Sequence, residues 1–468
     1  MIESTQQALA WRGIFPGMST SGSDLRNRIA ETLMPYVIPS VAVPAGLVTS
    51  AVSHAVQQVR FLKAARAMRG LRPAACEQAW PGEHRTIEEA VARLRLGDFN
   101  PLPLDGYLST IIGGTSDIVP MYLDTSRTFR GQFFRYPREF HECIIFTRDG
   151  IPLSAVMGLH HPKYARPAIV FVHGMFQSKG NDLVRIPALK AFYEWGFNVC
   201  VVDQRGFGRS ANLSSVPTSG GGLEAHDLIE VVKHLKRYSR ITSVGVVGFS
   251  LGAGSVLNAA GLRDAGVSEH IDGGVLAVCP ALDIDATIKR LQEPPEDAGF
   301  VPTFHFMNLV LKRGFRNSEL LKWIRKEQNN LPSWIADKEL KSFRDFIQLM
   351  AWGHLGVGED REYDDPAELM KVFMRVTNPH RALRRAKVPT LVVAAEDDPL
   401  TQLTDEGRGQ LEDAARNNPN LTYHITPRGG HCAYSLVDPD WWERLLRVWF
   451  SYWATWPDDT MPIFGTRK

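Results

Sequence analysis

Five short apolar runs limit what this chain can fold into: AIVFV (168–172), NVCVV (198–202), VGVVG (244–248), GVLAV (274–278) and TLVVAA (390–395). Each is bounded by turn-forming residues and is too short for a buried helix. Unbroken apolarity is what a strand covered on both faces requires. Helical stretches at 183–195, 223–238 and 251–262 lie between the runs. A strand that returns through a helix to a second strand makes a parallel crossover. The alternation therefore predicts an α/β fold with a doubly wound, mostly parallel sheet. Ahead of it, residues 142–148 and 152–160 read as two strands joined by an Asp149-Gly150 hairpin turn.

One long insertion breaks the alternation. Residues 283–387 separate the fourth run from the fifth, and they carry Trp323, Trp334, Trp352 and many Phe and Leu at helical spacing. This predicts a helical cap whose aromatics form its own core. The chain then divides into a helical N-terminal extension (1–135), the first part of the sheet domain (136–282), the cap (283–387) and the second part of the sheet domain (388–468). The extension contains a helix-like stretch at 86–96 and is expected to join the cap or to form a homodimer contact.

Composition removes several function classes. The net charge of the 468 residues is +2, which provides no field for nucleic acid. The five cysteines, Cys76, Cys143, Cys200, Cys279 and Cys432, are odd in number and unpaired in spacing, against a disulfide framework and against zinc. The histidines do not fall at ligand spacing, and no dinucleotide fingerprint occurs, so no metal or organic cofactor is implied. Asp203-Gln-Arg-Gly-Phe-Gly-Arg-Ser210 has a G-x-G fragment but neither the third glycine nor the lysine of a phosphate loop. It reads as a tight turn after a strand, with Asp203 and Arg205 as local brackets.

The opening MIESTQQALAWRG lacks the basic start and apolar stretch of a signal peptide, so a cytoplasmic location is expected. Residues 32–59 contain no Lys, Arg, Asp or Glu, but Pro35, Pro39, Pro44, His54, Gln57 and Gln58 interrupt them. A soluble or membrane-surface segment fits this pattern better than a spanning helix.

The chemistry gathers at three places in order. Gly248, Phe249, Ser250, Leu251 and Gly252 read G-x-S-x-G between a strand and a helix, the setting of a nucleophile held on a sharp turn. A serine needs a base and an orienting acid, expected in the order Ser, acid, His. The run at 390–395 leads into Glu396-Asp397-Asp398-Pro399, where Asp398 is the first candidate acid and Asp397 the second. Asp283, after the preceding strand, is the third. The bland reading of the Asp-Asp-Pro turn is a cap for the next helix. The base is His431 of Gly429-Gly430-His431, on the loop after the strand at 421–426. His160, His161 and His380 lack such a position. Oxyanion donors are expected from the Leu251 N–H and, after the run at 168–172, from the Met175 N–H. His173 reads as a brace for that loop.

In these residues the sequence resembles the α/β-hydrolase superfamily, in its serine esterase- and lipase-like branch with a helical cap. The likeness is carried by VHGMF (172–176), DQRGFGRS (203–210), GFSLG (248–252), the DDP turn (397–399) and GGH (429–431), and spans residues 140–460. The resemblance implies a Ser–Asp–His triad, an oxyanion hole of two N–H groups and cleavage of a carboxylic ester, and the large aromatic cap suggests that the substrate is medium-sized and apolar. The same triad serves thioester, amide or C–C cleavage and acyl transfer in other members. Met175, Phe176 and Gln177 depart from the small residues usual after the His-Gly of the first loop. A binding protein that kept the fold and lost the chemistry would lack a triad member, and none is missing.

Overall fold

The computed structural model describes residues 59, 85–113, 136–161, 164–214, 216–238, 240–263, 268–292, 344–345, 347–348, 350–351 and 366–456. Apart from its last residue, the uncharged 32–59 segment lies outside them, as do Trp323, Trp334, Trp352 and most of the insertion.

The first two strands form a hairpin. β1 (Phe140–Phe146) pairs antiparallel with β2 (Pro152–Gly158), with Phe146 opposite Pro152. β1 ends before the expected Arg148 because the turn begins earlier. The Thr147 N–H donates to the Ile151 carbonyl at 3.0 Å, and Gly150 takes a left-handed φ of 77°. Then come β3 (Arg166–Val172), β4 (Asn198–Val202), β5 (Ile241–Phe249), β6 (Val275–Val278), β7 (Thr390–Ala395) and β8 (Leu421–Thr426). They form one sheet in the order β1-β2-β4-β3-β5-β6-β7-β8. The β1–β2 and β2–β4 pairings are antiparallel, and every later pairing is parallel.

The sheet is buried on both faces, as the apolar runs require. Ile169, Phe171, Val247, Phe249, Leu276 and Val278 point to one face. Their neighbours Val170, Val172, Val246, Val275 and Ala277 point to the other. The helix α3 (Asp182–Tyr193) covers the first face and the helices α5 (Gly222–Lys236) and α6 (Leu251–Ala260) cover the second. α4 (Ser210–Leu213) is a single turn after β4. In the insertion the described helices are α7 (Ile284–Gln292), α8 (Pro366–Thr377) and α9 (His380–Leu383). α10 (Asp405–Asn417) joins β7 to β8, and α11 (Tyr434–Val437) and α12 (Pro439–Trp453) close the described chain. No helix among the described residues is long and apolar enough to cross a membrane.

The described part of the N-terminal extension packs on this core. α1 (Ile87–Leu94) is capped by Thr86, whose hydroxyl accepts from the Glu89 N–H. The Thr86 N–H in turn donates to the Tyr452 hydroxyl on α12 at 3.0 Å, and that hydroxyl donates to Glu89 at 2.8 Å. Trp441 of α12 is buried against Phe99, with ring centroids 4.7 Å apart, and its indole N–H donates to the Leu96 carbonyl. A second helix, α2 (Gly106–Gly113), runs on to the loop after β8.

Trp441 thus joins the two ends of the described chain through apolar area and one buried hydrogen bond. Trp441→Ala is expected to destabilise the protein by about 3–5 kcal/mol, the usual cost of emptying a buried aromatic site. A lowered denaturant midpoint with little change of slope checks this.

Candidate active site

Ser250 stands between β5 and α6 with φ 54° and ψ −117°, a conformation that costs an L-residue of order 1–3 kcal/mol. Its neighbours explain how it is held. A Cβ on Gly248 would lie 2.2 Å from the Gly252 carbonyl oxygen, and a Cβ on Gly252 would lie 2.5 Å from the His173 carbonyl oxygen. Only hydrogen fits at both positions, so strand, turn and helix pass at backbone contact. The Ser250 N–H donates to the Val278 carbonyl at 2.9 Å, tying the turn to β6.

Asp398 lies past the end of β7 and is almost fully buried. Its Oδ1 accepts from the Leu400 and Thr401 N–H groups at 2.8 and 2.9 Å, and its Oδ2 accepts from the Thr401 hydroxyl at 2.8 Å. The same Oδ2 lies 2.9 Å from His431 Nδ1. Burial alone would raise the Asp398 pKa, but the His431 charge and these donors hold it below the usual carboxylate value. The reverse holds for His431. Burial would lower its pKa, but the Asp398 carboxylate outweighs that, and it rises to about 9.

Asp397 and Asp283 do other work. Asp397 Oδ1 accepts from the Gly430 N–H at 2.9 Å and so anchors the loop that carries His431. Asp283 accepts from the Ala286 N–H at 2.9 Å and from the Thr404 hydroxyl at 3.0 Å, capping α7. The Asp-Asp-Pro turn therefore divides its labour: one carboxylate faces the ring and the other faces the loop backbone.

Both loop glycines before His431 have positive φ, 155° and 50°. Thr110 of α2 fixes the next residue, for its hydroxyl oxygen accepts the His431 N–H at 2.7 Å and its proton goes to the Gly106 carbonyl at 2.6 Å. Sequence reasoning missed Thr401, three residues from its partner Asp398, and Thr110, whose hydroxyl lies 321 residues from its partner and leaves no pattern along the chain. No hydrogen bond joins the Ser250 hydroxyl to the His431 ring among the described residues. The serine turn and the histidine loop share a backbone neighbour: the Val278 carbonyl that receives the Ser250 N–H also receives the thiol of Cys432, the residue after His431, at 3.7 Å.

The first loop lies against the serine. A Cβ on Gly174 would come within 3.1 Å of Ser250 Cβ. His173 is fully buried, with Nδ1 2.7 Å from the Gly174 carbonyl and Nε2 accepting the Gln204 N–H at 3.1 Å. It is a brace between the loops after β3 and β4, as its position in the sequence suggests. Asp203 is a second brace: it accepts from the Lys179 ammonium at 2.8 Å and from the Arg209 N–H at 2.9 Å. Arg205 pairs with Asp227, so 203–210 is a turn and not a phosphate cradle. Leu251, first in α6, has an N–H with no intrahelical acceptor. No hydrogen bond from the Met175 N–H is found among the described residues.

The sheet order, the strained serine and the buried His–Asp pair define an α/β hydrolase. Comparison with known proteins agrees: the model of the alpha/beta hydrolase family matches residues 169–445, more than half of the chain. The protein belongs to this family. A Synechocystis sp. protein named "Putative esterase slr0264" is 23% identical over 317 residues, covering 64% of this chain and 79% of its own. An abhydrolase domain-containing protein of Dictyostelium discoideum is 23% identical over 363 residues, 75% of this chain and 84% of its own. Among solved structures, the Pyrococcus furiosus esterase Pf2001 is 19% identical with a TM-score of 0.42, over 67% of this chain and 91% of its own.

The elbow makes a steric prediction. Gly252→Ala drives a methyl group into the backbone after β3. It is expected to lower stability by more than about 4 kcal/mol, the exceptional range for one substitution, whereas Gly254→Ala, which meets nothing within 4 Å, should leave the unfolding temperature nearly unchanged. Thermal unfolding of the two variants side by side checks this.

Proposed function

We propose that this protein is a serine hydrolase that cleaves a carboxylic ester of a medium-sized apolar molecule through an acyl-enzyme. The observation that carries this reading is the 2.9 Å contact of Asp398 with His431 Nδ1, at the same end of the sheet as the strained Ser250. With Nδ1–H given to Asp398, His431 Nε2 keeps its lone pair and takes the Ser250 hydroxyl proton as Oγ bonds to the ester carbonyl. The oxyanion that forms is met by the N–H groups of Leu251 and Met175. The tetrahedral adduct collapses, His431 returns the proton to the departing alcohol, and the acyl group stays on Oγ. Water then attacks the acyl carbon with His431 again as base, releasing the acid and restoring the serine.

The Synechocystis relative named as a putative esterase supports an ester as the bond cleaved. An apolar substrate suits the insertion at 283–387, which we read as a cap, because a cap rich in aromatics buries most of a ligand's surface. The cytoplasm remains our reading for its compartment.

Wild-type protein is expected to react with a fluorophosphonate probe, while Ser250→Ala and His431→Ala do not. Labelling would justify screening esters of graded acyl length, then thioesters and amides. An unlabelled wild type overturns this reading in favour of a binding protein.

The acid–base pair adds a pH prediction. His431 accepts a proton only when neutral, and its raised pKa, about 9, keeps it charged at neutral pH in the free protein. Labelling should therefore accelerate as pH rises from 7 through about 9. In Asp398→Asn the raising charge is gone, so the midpoint should move down while the limiting rate falls by about 10⁴, the loss seen when the orienting carboxylate of such a triad is neutralised. The rate of probe incorporation against pH for both proteins measures the two effects.

A further inference from the structure

The hydrolytic scheme uses His431 and assigns nothing to the two thiols beside it. Cys279 follows β6, Cys432 follows His431, and 153 residues separate them. The fold sets them side by side. The Cys432 N–H donates to Cys279 Sγ at 3.3 Å, the Cys279 thiol donates to the Gly430 carbonyl at 3.8 Å, and the Cys432 thiol donates to the Val278 carbonyl at 3.7 Å. Both residues have positive φ, 51° and 60°, which side-chain-bearing residues seldom adopt. The contacts to Val278, Cys279 and Gly430 hold this backbone at the carboxyl end of the sheet. The two Sγ atoms and a ring nitrogen of His431 lie within 4.8 Å of one another.

We propose that Cys279, Cys432 and His431 form a binding site for a thiophilic divalent cation of the zinc and cadmium kind. Zinc holds thiolate at about 2.3 Å and imidazole at about 2.0–2.1 Å, which sets tetrahedral ligand-to-ligand edges of about 3.4–3.8 Å. Closing on such an ion from within 4.8 Å takes side-chain movements of an ångström or so. Charge favours it as well. The two thiols and the protonated His431 ring lose their protons as the ion enters, and two thiolates cancel its charge, so the buried site gains no positive charge. The fourth tetrahedral position is left for water.

The site makes the ion an inhibitor. Asp398 occupies His431 Nδ1, so the lone pair open to a cation is on Nε2. That is the nitrogen that takes the Ser250 proton. Ion and proton transfer then exclude each other. This consequence rests on the hydrolytic reading; the site itself does not.

The test is titration of the reduced, full-length protein with cadmium, followed by the ultraviolet thiolate-to-metal charge-transfer band. One equivalent should saturate the band. Cys279→Ala and Cys432→Ala should each weaken binding by more than the roughly tenfold that even an outer-shell partner is worth, while Cys143→Ala, at a half-buried thiol outside the cluster, keeps it. Should either alanine variant fail to fold, alkylation of wild type decides: cadmium should protect Cys279 and Cys432 from iodoacetamide, and no protection overturns the site. A missing band, or a band kept in both variants, overturns it too. Probe labelling separates the two readings. A band with no labelling of metal-free protein sinks the hydrolase and leaves the site; labelling without a band does the reverse. With both present, cadmium should abolish labelling at the concentration that saturates the band, and a chelator should restore it.

Discussion

A serine forced to a φ of +54° is the constraint on which the rest of this molecule turns. That conformation persists only because alternatives are sterically closed. Gly248 and Gly252 let the end of β5, the start of α6 and the loop after β3 pass at backbone contact, and the Val278 carbonyl fixes the Ser250 N–H. The compression depends on β3, β5 and β6 lying parallel and adjacent, so that their carboxyl ends emerge together. The two faces of packed aliphatic side chains supply the free energy that holds the strained turn. Chemistry at this end of the sheet is thus inseparable from core packing.

Around that turn, buried charges are matched one to one. Asp398 faces His431 and is bonded by Leu400 and Thr401; Asp203 faces Lys179 and is bonded by Arg209. A buried carboxylate without such partners would protonate instead. Asp397 shows the contrast, since its single N–H partner leaves burial in control and its pKa is raised. Adjacent residues in one turn therefore have pKa values shifted in opposite directions for purely environmental reasons.

Much of this was legible along the chain, and the limits are physical. Strands buried on both faces cannot alternate in polarity, so 168–172, 198–202, 244–248 and 390–395 announced themselves, and β7 and β8 fall at the expected residues. The Ser–Asp–His order could be read because parallel strands present their carboxyl ends in sequence order. The choice between Asp397 and Asp398 could not, because neighbouring carboxylates in a turn point in opposite directions and only the loop path decides. Thr110 was invisible for another reason. Its value lies in one hydroxyl meeting one N–H across the fold, and local pattern holds no trace of it. The nearness of Cys279 and Cys432 was hidden in the same way, since 153 residues separate them along the chain.

The bond between Thr110 and the His431 N–H also bears on how the site comes into being. Its partners are 321 residues apart, so on a ribosome adding roughly 5–20 residues per second α2 waits for some tens of seconds before the loop it braces exists. The equilibrium penalty of so long a closure is modest, since each doubling of a loop adds only about 0.6 kcal/mol. The kinetic penalty is larger, because contacts this distant form late. α1, too, meets its partners on α12 only after most of the chain has been made. The sheet can assemble strand by strand, but the histidine loop gains its Thr110 brace only when α2 and the loop after β8 meet. The brace on the histidine loop therefore depends on one of the longest closures in this fold.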